Sequence, residues 1–395
     1  MKRLLSGTLA VLMALGLCGC GSKTDNTAQE PNYTATEAEI QNLEKHYQGR
    51  TALHGDLHDH AAGEGSDGKR TLLEWKRMMQ EEKDMDFAAI VNHGQLVHMR
   101  QPEWDEQYFI GGSEPGANIY DLSVACKNGS FDYSMIITDA DAFEEILTSF
   151  PGFSYKDGFF KSYGINYREE FCRVVEAVQQ AGGFVNFVHP LGDEYLASTD
   201  PLDYWFGDNT GFELINGLYG NMSARDNQEA RLYWIKLLDL GKRVFATAGS
   251  DSHQLSNTAT LTTVYSPAQN ARDILDVIRT GDFTAGPASI RMCMGDTITG
   301  GVCSFEGQRL TIAVGDVHSQ QYRAMNKYRV EVYTDAGLVL RQELPQIKNT
   351  EYLSLDVDPN SRYYRVEIYN VTEDYIFAIG NPIWNLALYT GEVLQ

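Results

Sequence analysis

The 395-residue chain is poor in basic side chains and in cysteine. Lys and Arg number 32 against 54 Asp and Glu, a formal net charge of −22. A surface this acidic repels phosphate backbones, so no nucleic-acid partner is expected. Six cysteines are present but no C-x-x-C pair, which argues against a thiolate zinc site. There is no Gly-rich phosphate loop and no G-x-S-x-G elbow. A nucleotide kinase and a serine esterase are therefore unsupported. The apolar stretch Leu4 to Leu17 is too short to span a bilayer comfortably. What remains is ordinary: 43% hydrophobic and 22% charged residues describe a globular chain, not a disordered or polytopic membrane one.

Met1-Lys2-Arg3 followed by the apolar stretch is a signal-peptide pattern. Leu17-Cys18-Gly19-Cys20 then resembles a bacterial lipobox. The resemblance implies cleavage after Gly19, a lipid on Cys20, and an exported lipoprotein anchored on a bacterial cell envelope. Ordinary cleavage without a lipid is the alternative. Residues 21–33 are polar and aperiodic, as a flexible tether would be. The expected division is 1–19 leader, 20–49 tether and short helix, 50–286 α/β region, and 287–395 a small all-β, sandwich-like domain. Cys293 and Cys303 could pair across a hairpin or remain two separate thiols.

Thr34-x-x-Glu37 reads as a capping box before a short helix. From residue 50 the pattern alternates. Helical spacing over Thr71–Glu82, Tyr167–Gln180, Asp226–Leu240 and Ala271–Thr280 is interleaved with apolar runs at Phe87–Val91, Phe184–Val188, Phe212–Ile215, Val244–Ala248 and Phe283–Ala285. Such alternation predicts buried parallel strands joined by helical crossovers. Residues 94–166 are the least legible part and read as long loops over the active face. Beyond 287 the runs at 289–294, 310–314, 328–334, 338–344, 352–357 and 362–369 are strand-like.

Seven of the nine histidines lie between 54 and 253. His58, His60, His93, His189, Asp251 and His253 each follow the end of an apolar run. In a closed β/α barrel those ends converge on one face. His58-Asp59-His60 on an extended segment places two imidazoles on one side, where they can share a metal ion. Asp56 is positioned to orient a ring through its second nitrogen. A lone histidine is usually structural, and His46 and His318 read that way. Several buried His and Asp at strand ends would need partners for every polar atom, and a metal satisfies them together.

The stretch Gly55-Asp56-Leu57-His58-Asp59-His60 with Ser66-Asp67-Gly68 resembles the first motif of the PHP (polymerase and histidinol phosphatase) superfamily. Ala89-Ile90-Val91-Asn92-His93, Gly111-Gly112-Ser113-Glu114, Phe187-Val188-His189-Pro190 and Gly249-Ser250-Asp251-Ser252-His253 resemble its later motifs in order. Thr284-Ala285-Gly286-Pro287 and Asn381-Pro382-Ile383-Trp384 look like the CehA/McbA-type metallohydrolase branch. The resemblance implies a distorted (β/α)7 barrel with two or three divalent ions. His58, His60, Glu114 and Asp251 would hold one, Asp67, His93 and His253 another, and His189 with Glu114 a third. The family usually has Asp where Asn92 stands and a further His before the third motif, yet none occurs between 99 and 188.

Carboxylates mixed with imidazoles suit Zn, Mn or Fe(II). Bound water becomes a hydroxide nucleophile near neutral pH at such ions. Asp56, Asp251 and His253 are the expected catalytic residues, and Arg225 and Asn216 the substrate contacts. Glu213 reads equally as a support for a ligand or as an ion pair with an arginine. The expected activity is metal-dependent hydrolysis of a small phosphate ester, with a carboxylic ester or carbamate as the alternative substrate. A non-catalytic, metal-containing surface binding lipoprotein is the rival class.

Overall fold

Thirteen strands follow one another across a single large sheet, and a fourteenth pairs beside them. The computed structural model describes residues 33–82, 85–118, 130–156, 159–161, 168–191, 200–216, 225–253, 262–318 and 326–389. The leader and Cys20 lie outside the described residues. No described helix is long and apolar enough to cross a membrane.

The fold is mixed α/β. Its central run has the order Val244–Gly249, Thr210–Asn216, Phe184–Phe187, Tyr133–Ile137, Phe109–Ser113, Phe87–Ile90 and Thr51–Asp59. Most neighbours in this run are parallel, as the alternating pattern predicts. Tyr133–Ile137 is the exception and runs antiparallel to both its neighbours. The two ends of the run come back together. Asp59 forms a parallel bridge with Ser252, Asp251 N donates to His58 O at 2.8 Å, and His60 N donates to Ser252 O at 3.2 Å.

Helices cover this run for the reason their sequences suggest. Arg168–Gln180 buries Phe171, Val174, Val175 and Val178 against it. Each such side chain contributes roughly 1.5–3 kcal/mol. Ala271–Thr280 starts on the Asn270 cap and stops at Gly281, whose φ of 83° is the left-handed geometry that ends a helix. The first helix, Glu37–Tyr47, is capped two residues later than expected. Thr36 and Glu39 make the capping box, while Thr34 bridges to Leu353. The 71–82 segment is α-helical over Leu72–Arg77 and then widens to a π turn at Met78–Glu82.

The sheet does not end at residue 286. Thr262–Ser266 and Phe283–Ala285 continue it antiparallel from Thr51–Asp59. Tyr375–Asn385 then pairs with Phe283–Ala285 through Thr284–Gly380 and Ala285–Ile379. Tyr363–Asn370, Tyr328–Thr334 and Gly337–Leu344 complete the sheet. A second, antiparallel sheet contains Thr297–Ile298, Ser289–Met294, Arg309–Gly315 and Glu351–Asp356. Hydrogen bonding therefore crosses the expected domain boundary, and Thr34–Gln395 forms one compact unit. Cys293 and Cys303 are free thiols rather than a disulfide.

Candidate metal centre

The long strand Thr51–Asp59 delivers His58 from its last turn of pleat, and His60 follows directly. Both rings are fully buried. Glu114 comes from the end of Phe109–Ser113, and Asp251 from the turn after Val244–Gly249. Their ligand atoms converge. His58 Nε2 lies 3.4 Å from His60 Nε2, 3.1 Å from Glu114 Oε2 and 3.5 Å from Asp251 Oδ1. His60 Nε2 lies 3.2 Å from both Glu114 Oε2 and Asp251 Oδ1. A tetrahedral ion with bonds of about 2.0–2.1 Å spaces its ligand atoms about 3.3–3.4 Å apart. The residues fit a cation by a second criterion as well. Asp251 Oδ1 is buried, and among the described residues its ion pairs are with imidazoles alone, His60 Nε2 and His253 Nδ1 each at 3.2 Å and His58 Nε2 at 3.5 Å.

A second group adjoins the first. His253 Nε2 lies 3.2 Å from Asp67 Oδ2 and 3.4 Å from His93 Nε2, and His93 Nε2 lies 3.6 Å from Asp67 Oδ2. His60 is close enough to share in it. A third group joins Glu114 to His189 and to Asp132, and Glu114 Oε1 is 3.3 Å from His189 Nε2. Asp132 is a further candidate ligand. No motif pointed to it, because it precedes its strand instead of following it. The antiparallel pairing of Tyr133 with Phe187 brings the start of one strand beside the end of the other, and so Asp132 beside His189.

Glu114 is the hub. Among the described residues its four ion pairs are all with imidazoles: His58, His60, His93 and His189. Burial alone would raise its pKa, but His58 and His189 outweigh burial and hold it well below the usual carboxylate range. Burial likewise disfavours the His58 imidazolium, yet Glu114, Glu213 and Asp251 raise its pKa well above the ordinary value. The same carboxylates would favour a divalent ion in that position.

Supporting residues fix this geometry. Glu213 Oε1 faces His58 Nδ1 at 3.3 Å, and its Oε2 accepts from the His189 backbone at 2.8 Å and from Asn216 Nδ2 at 2.8 Å. Glu213 is thus a support for the ligands, and among the described residues it pairs with no arginine. Asn216, expected at the substrate, holds Glu213, and its backbone pairs with the Asn227 side chain. Gly249 permits the approach, since a Cβ there would sit 2.4 Å from Glu213 Oε1 and 2.5 Å from His58 Cβ. Asp56 acts on backbone: its Oδ1 accepts from His58 N and Ser250 N, each at 3.0 Å. The carboxylate that reaches His58 Nδ1 is that of Glu213 instead. Burial pushes the Asp56 carboxyl up to about 7, and burial with Asp56 raises Asp59 well above its usual range. Asn92 Oδ1 accepts from Ala61 N at 2.8 Å, so an amide serves there to hold the neighbouring loop. His253 Nδ1 meets the Asp251 carbonyl at 2.9 Å, which leaves Nε2 for Asp67 and His93. Asp251 and His189 hold positive φ values of 51° and 29°, strain of the kind that clusters at functional sites. Arg225 begins the helix Arg225–Asp239, and its side chain lies outside the described residues.

No protein-family model matches the chain, and no curated protein matches it at a meaningful level.

Proposed function

We propose that the chain is an exported, lipid-tethered, metal-dependent hydrolase of the PHP type, acting on a small phosphate ester. The supporting observation is the set of ligand-atom separations between 3.1 and 3.5 Å among His58, His60, Glu114 and Asp251. In this reading the seven-strand run, joined at Asp59 and Ser252, is the distorted barrel, and 287–395 is its appended β domain. Two ions, or three with the Glu114–Asp132–His189 group, complete the centre.

Bound divalent ions would supply Lewis acidity and lower the pKa of a coordinated water. The chain's own residues supply placement. Glu213 keeps the His58 proton on Nδ1, so Nε2 presents its lone pair. Asp56 locks the ends of two strands in register beneath it. Asp251 is the partly open carboxylate at the inner group and is placed to accept a proton from the attacking water. A cavity of about 100 Å3 beside His189, bordered by Asn216 and Asn227, leaves room for the leaving group.

The test is a screen of phosphate-ester, carboxylic-ester and carbamate substrates with metal-loaded protein, run beside His58→Ala. Turnover of phosphate esters that is lost in the folded variant supports the proposal. Turnover of carbamates or carboxylic esters instead would replace the substrate class. No turnover on any class despite full metal loading would favour the binding lipoprotein.

A further inference from the structure

The two main ligand groups differ in access. His58, His60 and Glu114 have no exposed side-chain surface, and with Asp251 they make four protein ligands. Asp67 and His93 are 56% and 46% exposed. With His253 and the shared His60 they make up the outer group, which opens to solvent at Asp67 and His93. Shells closed off from solvent are characteristic of metal ions that hold structure, and shells open to solvent of ions that meet substrate.

The cost of emptying each group also differs. Without a cation the inner group leaves the fully buried Glu114 carboxylate beside that of Asp251, with imidazoles as its ion-pair partners among the described residues. Emptying the outer group exposes Asp67 and His93 to water, which solvates them at little cost.

We infer that the inner group retains its ion and maintains the site, whereas the outer group exchanges its ion readily and faces the substrate, so free divalent cation switches the protein on. This rests on the metal-hydrolase reading above. The asymmetry is a property of burial, and it requires no particular substrate.

The experiment loads wild type, His93→Ala and Asp67→Ala with Zn2+ or Mn2+, dialyses each against increasing chelator, and measures ions per chain and Tm. Wild type should release one ion at low chelator with little change in Tm, and the rest only at higher chelator with a large fall in Tm. Both variants should start one ion short and keep the wild-type Tm. Release of all ions in one step, or a wild-type ion count in both variants, overturns the inference. A wild type that binds no ion at all overturns the metal-centre reading instead.

Discussion

The charged cluster at the strand ends and the one beneath helix Arg225–Asp239 are both buried, yet they neutralise charge by different means. In the second, Glu367 accepts from Arg231 Nε at 2.9 Å and from Arg231 Nη2 at 2.7 Å, and Arg365 also pairs with it. The Arg365 guanidinium lies over the Tyr333 ring at 4.4 Å. Two permanent cations cancel that carboxylate. At the strand ends every cation paired with Glu114 among the described residues is an imidazole, which can give up its proton and become a ligand. A protein that needs static neutrality uses arginine. One that must admit a metal ion uses histidine.

That contrast can be broken from either side. The largest effect is expected from His58→Ala, which should cost turnover on the order of a thousandfold or more while circular dichroism stays native. Retained turnover would remove the strand ends from the chemistry. Glu367→Ala should do the reverse. It strands two guanidiniums and should destabilise by about 3–5 kcal/mol in urea unfolding, with metal content unchanged. Should metal content fall as well, the clusters are not independent. Glu213→Gln keeps the shape but weakens the hold on the His58 ring, and metal affinity should drop ~10–100-fold by competition titration.

The smallest effect concerns Asp282, which falls between the two types. It accepts from Tyr47 Oη at 2.7 Å and Arg50 Nη1 at 2.9 Å. Burial nevertheless pushes its carboxyl from 3.8 up to about 6. The folded chain therefore binds more protons than the unfolded chain between those values. Stability from this group is greatest below about pH 4 and declines as pH rises through 6, by at most about 1.4 kcal/mol per pH unit. Asp282→Asn should flatten that part of the stability–pH curve relative to wild type. An unchanged slope would rule out Asp282 as its source.

Much of the centre was legible because its ligands follow apolar runs. His58 lies at the end of its strand and His60, His93, His189, Asp251 and His253 follow theirs, whereas Glu114 came only from the family resemblance. Helix Ala271–Thr280 was readable to the residue because Asn270 and Gly281 punctuate it. The 94–166 stretch was not. Phe109–Ser113 carries two glycines and no alternation, and Tyr133–Ile137 is a short apolar run that suits a strand or a helix. Its direction is set by partners distant in sequence, and with it the position of Asp132. Tyr375–Asn385 was known only by its Asn-Pro-Ile-Trp motif. In the fold Asn381 spans elements, accepting from Ala246 N at 2.7 Å and donating to the carbonyls of Gly281 and Phe283.

The pairing of Thr284 with Gly380 bears on how the molecule could be shortened. A chain cut after residue 286 would keep every proposed ligand and still lose the neighbour that covers Phe283–Ala285. The bared strand would offer its unpaired amides to other copies, so self-association, visible as light scattering, is the expected fate of that truncation.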